Sequence, residues 1–240
     1  MANVAAASQL WNKPSSQRPP REFPALHKAV FMNAHHAGHF NPTVELVKLM
    51  VAAGVEVHYY ATSDLAGVIA AAGAIYHNYS SDEWSLKECA LAGCARLKCE
   101  ASEEIKSELL FHQAVVATVE VLPFVIDELK KLQPDVVVSD SGYPWGHVAA
   151  QHLGIPSVSS CSSKMMTVDE KEALFSHMRR LDYNIKAQKV LLEEYGIEYD
   201  PADSYLNYSG RGVQVFLLPL PSVDRSDSRA SNSDNHFARP

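Results

Sequence analysis

Residues 33–41 read N-A-H-H-A-G-H-F-N, followed by Pro42, and hold three of the chain's eleven histidines, at 35, 36 and 39. A neutral imidazole takes a proton from a hydroxyl when a neighbouring carboxylate orients its ring and stabilises the imidazolium that forms. Gly38 precedes His39. Asn41 is suited to cap a helix, and Pro42 fits a first turn, where its missing N–H costs nothing. The spacing therefore predicts a strand over 28–33, a turn carrying His39, and a helix over 42–53. His39 would sit just outside that helix, at the carboxyl end of the strand, where open parallel sheets place their chemistry.

The matching carboxylate must come from elsewhere, and the order of elements supplies it. After the first helix and its left-handed stop at Gly54 come a strand over 55–61, the capping run Thr62-Ser63-Asp64, a helix over 65–72 ending at Gly73, and a short strand over 75–79. From Ser102-Glu103-Glu104 a long helical stripe reaches Lys131, with a kink or break expected at Pro123. Pro134-Asp135 leads into Val136-Val137-Val138, apolar enough for a central strand buried on both faces, and Asp140 ends it. A helix over 145–153 stops at Gly154, a strand follows over 155–160, residues 168–195 are helical, and 212–218 form a sixth strand. Strands alternating with helices give an α/β chain with a Rossmann-like parallel sheet and helices on both faces. Right-handed crossovers place six such strands in the order 3-2-1-4-5-6. Strands one and four are then central neighbours, so His39 and Asp140 share one crevice although a hundred positions separate them. The positive end of the adjacent helix disfavours an imidazolium at His39, and Asp140 opposes that effect.

Composition sets the outer limits. With 240 residues, 47% hydrophobic and 20% charged, a sizeable core is expected. A net charge of −7 speaks against nucleic acid, whose phosphates call for clustered Lys and Arg. No apolar run approaches the roughly 20 residues that span a bilayer, and no secretory signal opens the chain, so a cytoplasmic protein is expected. Cys89, Cys94, Cys99 and Cys161 form no C-x-x-C pair, which favours reduced thiols over a zinc or redox site. The proline-punctuated residues 1–26 read as a disordered leader, 27–220 as the domain, and the serine-rich 221–240 as a disordered or truncated tail.

G-H-F-N-P after the first strand, then P-D-V-V-V-S-D-S-G-Y-P and L-G-I-P-S-V-S, resemble the amino-terminal half of family 1 GT-B glycosyltransferases, above all the macrolide and antibiotic branch. The resemblance covers roughly residues 28–220 and implies transfer of sugar, with inversion, from a nucleotide diphosphate sugar such as a UDP-sugar to a hydroxyl of a small apolar acceptor. It implies His39 as general base and Asp140 as its partner. In that family the amino-terminal domain binds acceptor, and a carboxy-terminal domain holds the diphosphate through an H-x-G-x-x-S-like loop at a helix start. No such motif follows Pro221. The chain is therefore expected to be the acceptor-binding half, inactive without a donor-binding partner chain, and to need no metal or other cofactor.

Each of these residues also has a plainer reading. His39 could be tied into a turn by its ring nitrogens, and Asp140 could cap the helix near Pro144. His35 suits scaffold or pocket lining, and His36 with Gly38, Trp84, Phe111, Phe124, Tyr143, Met165 and Met166 could line an apolar acceptor pocket, although most such residues are simple core. A metal site from His35, His39 and Asp140 is open on ligand type. The Ser cluster 157–163 lacks G-x-S-x-G, and no G-x-G-x-x-G follows the first strand, so hydrolase and dinucleotide readings are weak. A non-catalytic Rossmann-like module that binds an apolar small molecule or a partner chain is the alternative to the transferase.

Overall fold

A computed structural model describes residues 25–33, 37–106, 110–162, 168–201 and 213–216. Its sheet is built from β1 (Lys28–Met32), β2 (Glu56–Tyr60), β3 (Ile75–His77), β4 (Val136–Asp140), β5 (Ser157–Cys161) and β6 (Val213–Phe216). Every pairing is parallel, and the order is β3-β2-β1-β4-β5-β6, as the crossover rules require. Met32 lies opposite Tyr60 on one side and Ser139 on the other. The expected strand limits shift by a residue or two, and β3 is the short one, ending at His77 rather than 79.

The helices are α1 (Ala37–Ala52), α2 (Ala66–Ala71), α3 (Leu86–Leu97), α4 (Glu103–Lys106), α5 (Leu110–Leu132), α6 (Trp145–Leu153), α7 (Val168–Phe175) and α8 (Asp182–Tyr195). Strand residues alternate between two cores, so one sheet carries both. Val30, Met32, Tyr60 and Val137 face Leu122, Val125 and Leu129 of α5 and Val148 of α6. Ala29, Phe31, Val57, Tyr59 and Val138 face Phe40 and Val47 of α1 and Ile69 of α2. Covering on both sides accounts for the unbroken apolar run in β1 and β4. Among the described residues no helix is long and apolar enough to cross a membrane.

Three expectations need correction. First, α1 begins at Ala37, not at 42, so His39 belongs to its first turn rather than to the loop before it. The reason is burial: Phe40, Thr43 and Val47 are all within 2% of fully buried, and only a helix running through all three puts them on one face. Pro42 then falls in the second turn, where it withholds the N–H that would bond the Gly38 carbonyl.

Second, α5 runs unbroken through Pro123. A proline there leaves the Val119 carbonyl without its donor four residues on. The Arg96 guanidinium of α3 supplies one instead, Nη1 to the Val119 oxygen at 2.5 Å, while Nη2 pairs with Glu194 at 2.8 Å.

Third, of the single long helix expected from Ser102, the stretches α4 and α5 are helical and residues 107–109 between them lie outside the described residues; α3 before it was not anticipated. Its start is conventional all the same: the Ser85 hydroxyl accepts the Glu88 N–H at 3.2 Å. Gly93 permits α3 to lie against α5, since a Cβ there would fall on the Val116 carbonyl oxygen. Of the expected leader only Ala25 and Leu26 are among the described residues, and the tail 221–240 lies outside them.

Candidate functional site

The topology brings the carboxyl ends of β1 and β4 side by side, and the two sequence candidates meet there. His39 Nδ1 lies 3.0 Å from both Oδ1 and Oδ2 of Asp140. The carboxylate is fully buried, while 24% of the imidazole side chain is exposed. A buried anion needs donors, and the turn after β4 supplies one: Oδ1 accepts the Gly142 N–H at 2.7 Å. The Tyr143 N–H bonds the Asp140 carbonyl at 3.1 Å, and the Ser141 N–H bonds Ser160 at 2.9 Å, so the turn itself is fixed. Asp140 does not cap α6. That helix starts after Pro144 with no side-chain cap, because the carboxylate is spent on Gly142 and His39.

The hydrogen bond from Asp140 is the largest influence on the His39 imidazole and raises its pKa above the ordinary value; burial opposes it, and the charge of Asp140 adds to it. A ring that donates from Nδ1 to the carboxylate carries its lone pair on Nε2. Such a ring can accept a proton at Nε2 while the carboxylate holds Nδ1.

Sequence reasoning missed what holds the turn. Tyr59 on β2 stacks on Phe31 at 5.3 Å and meets Phe40 edge-on at 5.5 Å. Its hydroxyl lies 2.8 Å from Thr43 Oγ1, which donates to the Phe40 carbonyl at 2.8 Å. Asn33 Nδ2 donates to the Tyr59 hydroxyl at 3.4 Å. A Thr one residue after Pro42 was the only local hint, and nothing in sequence pairs it with Tyr59.

The other candidates are scattered. His36, Met165 and Met166 lie outside the described residues, as does the side chain of Phe111, and His35 with them. Gly38 is exposed in the first turn of α1, with open space where a Cβ would stand. Tyr143 is fully buried, its ring 6.2 Å from that of His39 and 5.0 Å from Trp145. Trp84 is half-buried, 6.0 Å from Trp145, and walls a cavity of about 500 Å³ with Thr62, Asp64, Asp82 and Gln113. Phe124 and Trp84 share a second cavity of about 480 Å³. Among the described residues no three His, Cys, Asp or Glu side chains are grouped to hold a metal. Burial pushes the Cys89 and Cys94 thiols up to about 12.

No protein-family model and no curated protein matches the sequence. Solved structures do. The kitacinnamycin glycosyltransferase superposes with a TM-score of 0.57 at 19% identity, over 80% of this chain and 46% of its own. CalG4, the calicheamicin glycosyltransferase, gives 0.54 at 22%, over 76% and 45%. The chain has the Rossmann-like fold of the amino-terminal half of GT-B glycosyltransferases. The glycosyltransferase VinC, solved with dTDP, gives 0.52 at 16%, over 80% of this chain and 49% of its own. The chain thus spans about half the length of the structures it matches.

Proposed function

We propose that these residues form the acceptor-binding half of an inverting glycosyltransferase. The observation that carries the reading is the symmetric seating of His39 Nδ1 on both oxygens of buried Asp140, at the crevice between β1 and β4. In this reading Nε2 of His39 removes the proton from an acceptor hydroxyl. The freed oxygen attacks the anomeric carbon of a nucleotide diphosphate sugar from the face opposite the departing diphosphate, so the configuration inverts. The proton stays on the imidazole, and Asp140 stabilises the resulting imidazolium. The acceptor is a small apolar molecule with a hydroxyl. The nucleotide and diphosphate bind a separate donor domain, either further along a longer protein or on a partner chain. UDP is the expected carrier, and dTDP is the one seen with VinC; the base is read by the donor domain and not by these residues.

The test is transfer by the chain combined with a donor-binding domain. His39→Ala should lower the rate by about 10²–10⁴-fold, the usual worth of a positioned base. Because Asp140 raises the His39 pKa, the rate should climb with pH through that raised value as the imidazole becomes neutral. An unchanged rate in His39→Ala refutes the base assignment, and full turnover by the chain alone refutes the need for a donor domain.

A further inference from the structure

The helix turn that carries His39 is intrinsically weak. Gly38 and Pro42, the two poorest helix formers, both lie within the first six residues of α1, and Pro42 removes one of the bonds that would close the second turn. Yet the imidazole on this turn meets both oxygens of Asp140 at 3.0 Å. Something outside the helix must hold it.

The hydrogen-bond geometry identifies that element. Thr43 has one hydroxyl proton, and it goes to the Phe40 carbonyl. At 2.8 Å from Tyr59 its oxygen must therefore accept, so Tyr59 donates. The Tyr59 oxygen in turn accepts from Asn33 Nδ2. A one-way chain results: Asn33 at the end of β1, Tyr59 on β2, Thr43 on α1, and the carbonyl of Phe40, the residue after His39. All four residues are within 2% of fully buried, where each bond is costly to leave unmade. Burial pushes the Tyr59 phenol up to about 12, so it keeps the proton it must donate.

We propose that Tyr59, acting through Thr43, is a positioning residue that holds the first turns of α1 so that His39 stays in register with Asp140. The structural claim stands without the transferase reading; only its consequence for turnover rests on that reading.

The experiment is an NMR titration of the His39 imidazole in the full chain, with neither donor nor acceptor present, for wild type, Tyr59→Phe, Thr43→Val, Thr43→Ser and Asp140→Asn. Asp140→Asn should bring the midpoint down toward or below the ordinary histidine value of about 6.5. Tyr59→Phe keeps both ring contacts and loses only the hydroxyl. It should lower the midpoint by about half of the Asp140→Asn change, and should add nothing in the Asp140→Asn background, as expected for two groups acting on one contact. Thr43→Val should reproduce the loss, and Thr43→Ser should restore the wild-type midpoint.

A lower melting temperature with an unmoved midpoint in Tyr59→Phe would make Tyr59 a structural residue only and overturn the proposal. If Tyr59→Phe does not fold, the contrast between Thr43→Val and Thr43→Ser decides, and equal midpoints for those two overturn it. Asp140→Asn leaving the midpoint in place would instead count against the His39–Asp140 pair itself. Absent turnover when a donor-binding domain, a nucleotide sugar and a hydroxylated acceptor are all supplied, with intact titration shifts, would sink the transferase reading while leaving Tyr59 in its role.

Discussion

Asp140→Asn separates the electrostatic role of the carboxylate from its shape. The amide is nearly isosteric and keeps an oxygen for the Gly142 N–H, which Asp140 Oδ1 accepts at 2.7 Å. What changes is the face toward His39, where two carboxylate oxygens at 3.0 Å become one oxygen and one N–H₂. The raised His39 pKa fixes the sign. A group that binds its proton more tightly when folded adds stability below its unfolded pKa of about 6.5, and that stability is lost as pH rises through the folded value.

The substitution should therefore cost most in mild acid. Hydrogen bonds to charged groups contribute about 1.5–3 kcal/mol. Because 24% of the imidazole side chain is exposed, solvent screening holds the figure down, so we expect about 2 kcal/mol at pH 5.5 and about 1 kcal/mol at pH 8.5. Urea unfolding of both proteins at the two pH values measures this directly. An equal cost at both, or a larger one at pH 8.5, would refute the reasoning. In a donor-supplied assay the same variant should lose activity by more than its stability suggests, because an amide turns the imidazole to its other tautomer and moves the lone pair from Nε2 to Nδ1.

Further tests address the scaffold. Gly93→Ala in an ordinary helix interior gains about 1 kcal/mol. Here the new Cβ lands on the Val116 carbonyl oxygen and also lies 3.0 Å from Val116 Cγ1, so a net loss of about 1–3 kcal/mol is expected from the urea midpoint, and a gain would disprove the close approach of α3 and α5. Burial pushes the His147 imidazole down to about 4, the reverse of His39, so the unfolded chain takes up its proton first as pH falls. Stability should drop by about 3 kcal/mol between pH 6.5 and 4 on this account. His147→Gln should flatten that part of the profile, and an unchanged slope would show that the ring is not held neutral.

The candidate site was legible because it depends on two things a sequence states openly. Apolar runs alternating with glycine-stopped helices fix a parallel order once crossovers are right-handed, and that order alone sets the loop after β1 beside the loop after β4. G-H-F-N-P and V-S-D then name the side chains at those two ends, and His39 and Asp140 meet as their positions require. The pocket candidates were far less legible. Aromatic residues are as suited to core as to pocket, and only packing separates Tyr143, fully buried behind His39, from Trp84 at a cavity edge.

Local signals went astray wherever a distant group settled the outcome. Asn41-Pro42 resembles a helix start, but burial of Phe40 against Tyr59 pulls the helix back to Ala37 and takes His39 into it. Pro123 resembles a helix end, but an arginine on α3 satisfies the carbonyl it exposes and α5 continues. The sequence by itself determined the strand order and which two side chains face one crevice, since both follow from periodicity and chain handedness. Only the tertiary structure decided where α1 begins and what keeps its first turns in place, because the burial and hydrogen bonds responsible come from residues remote along the chain.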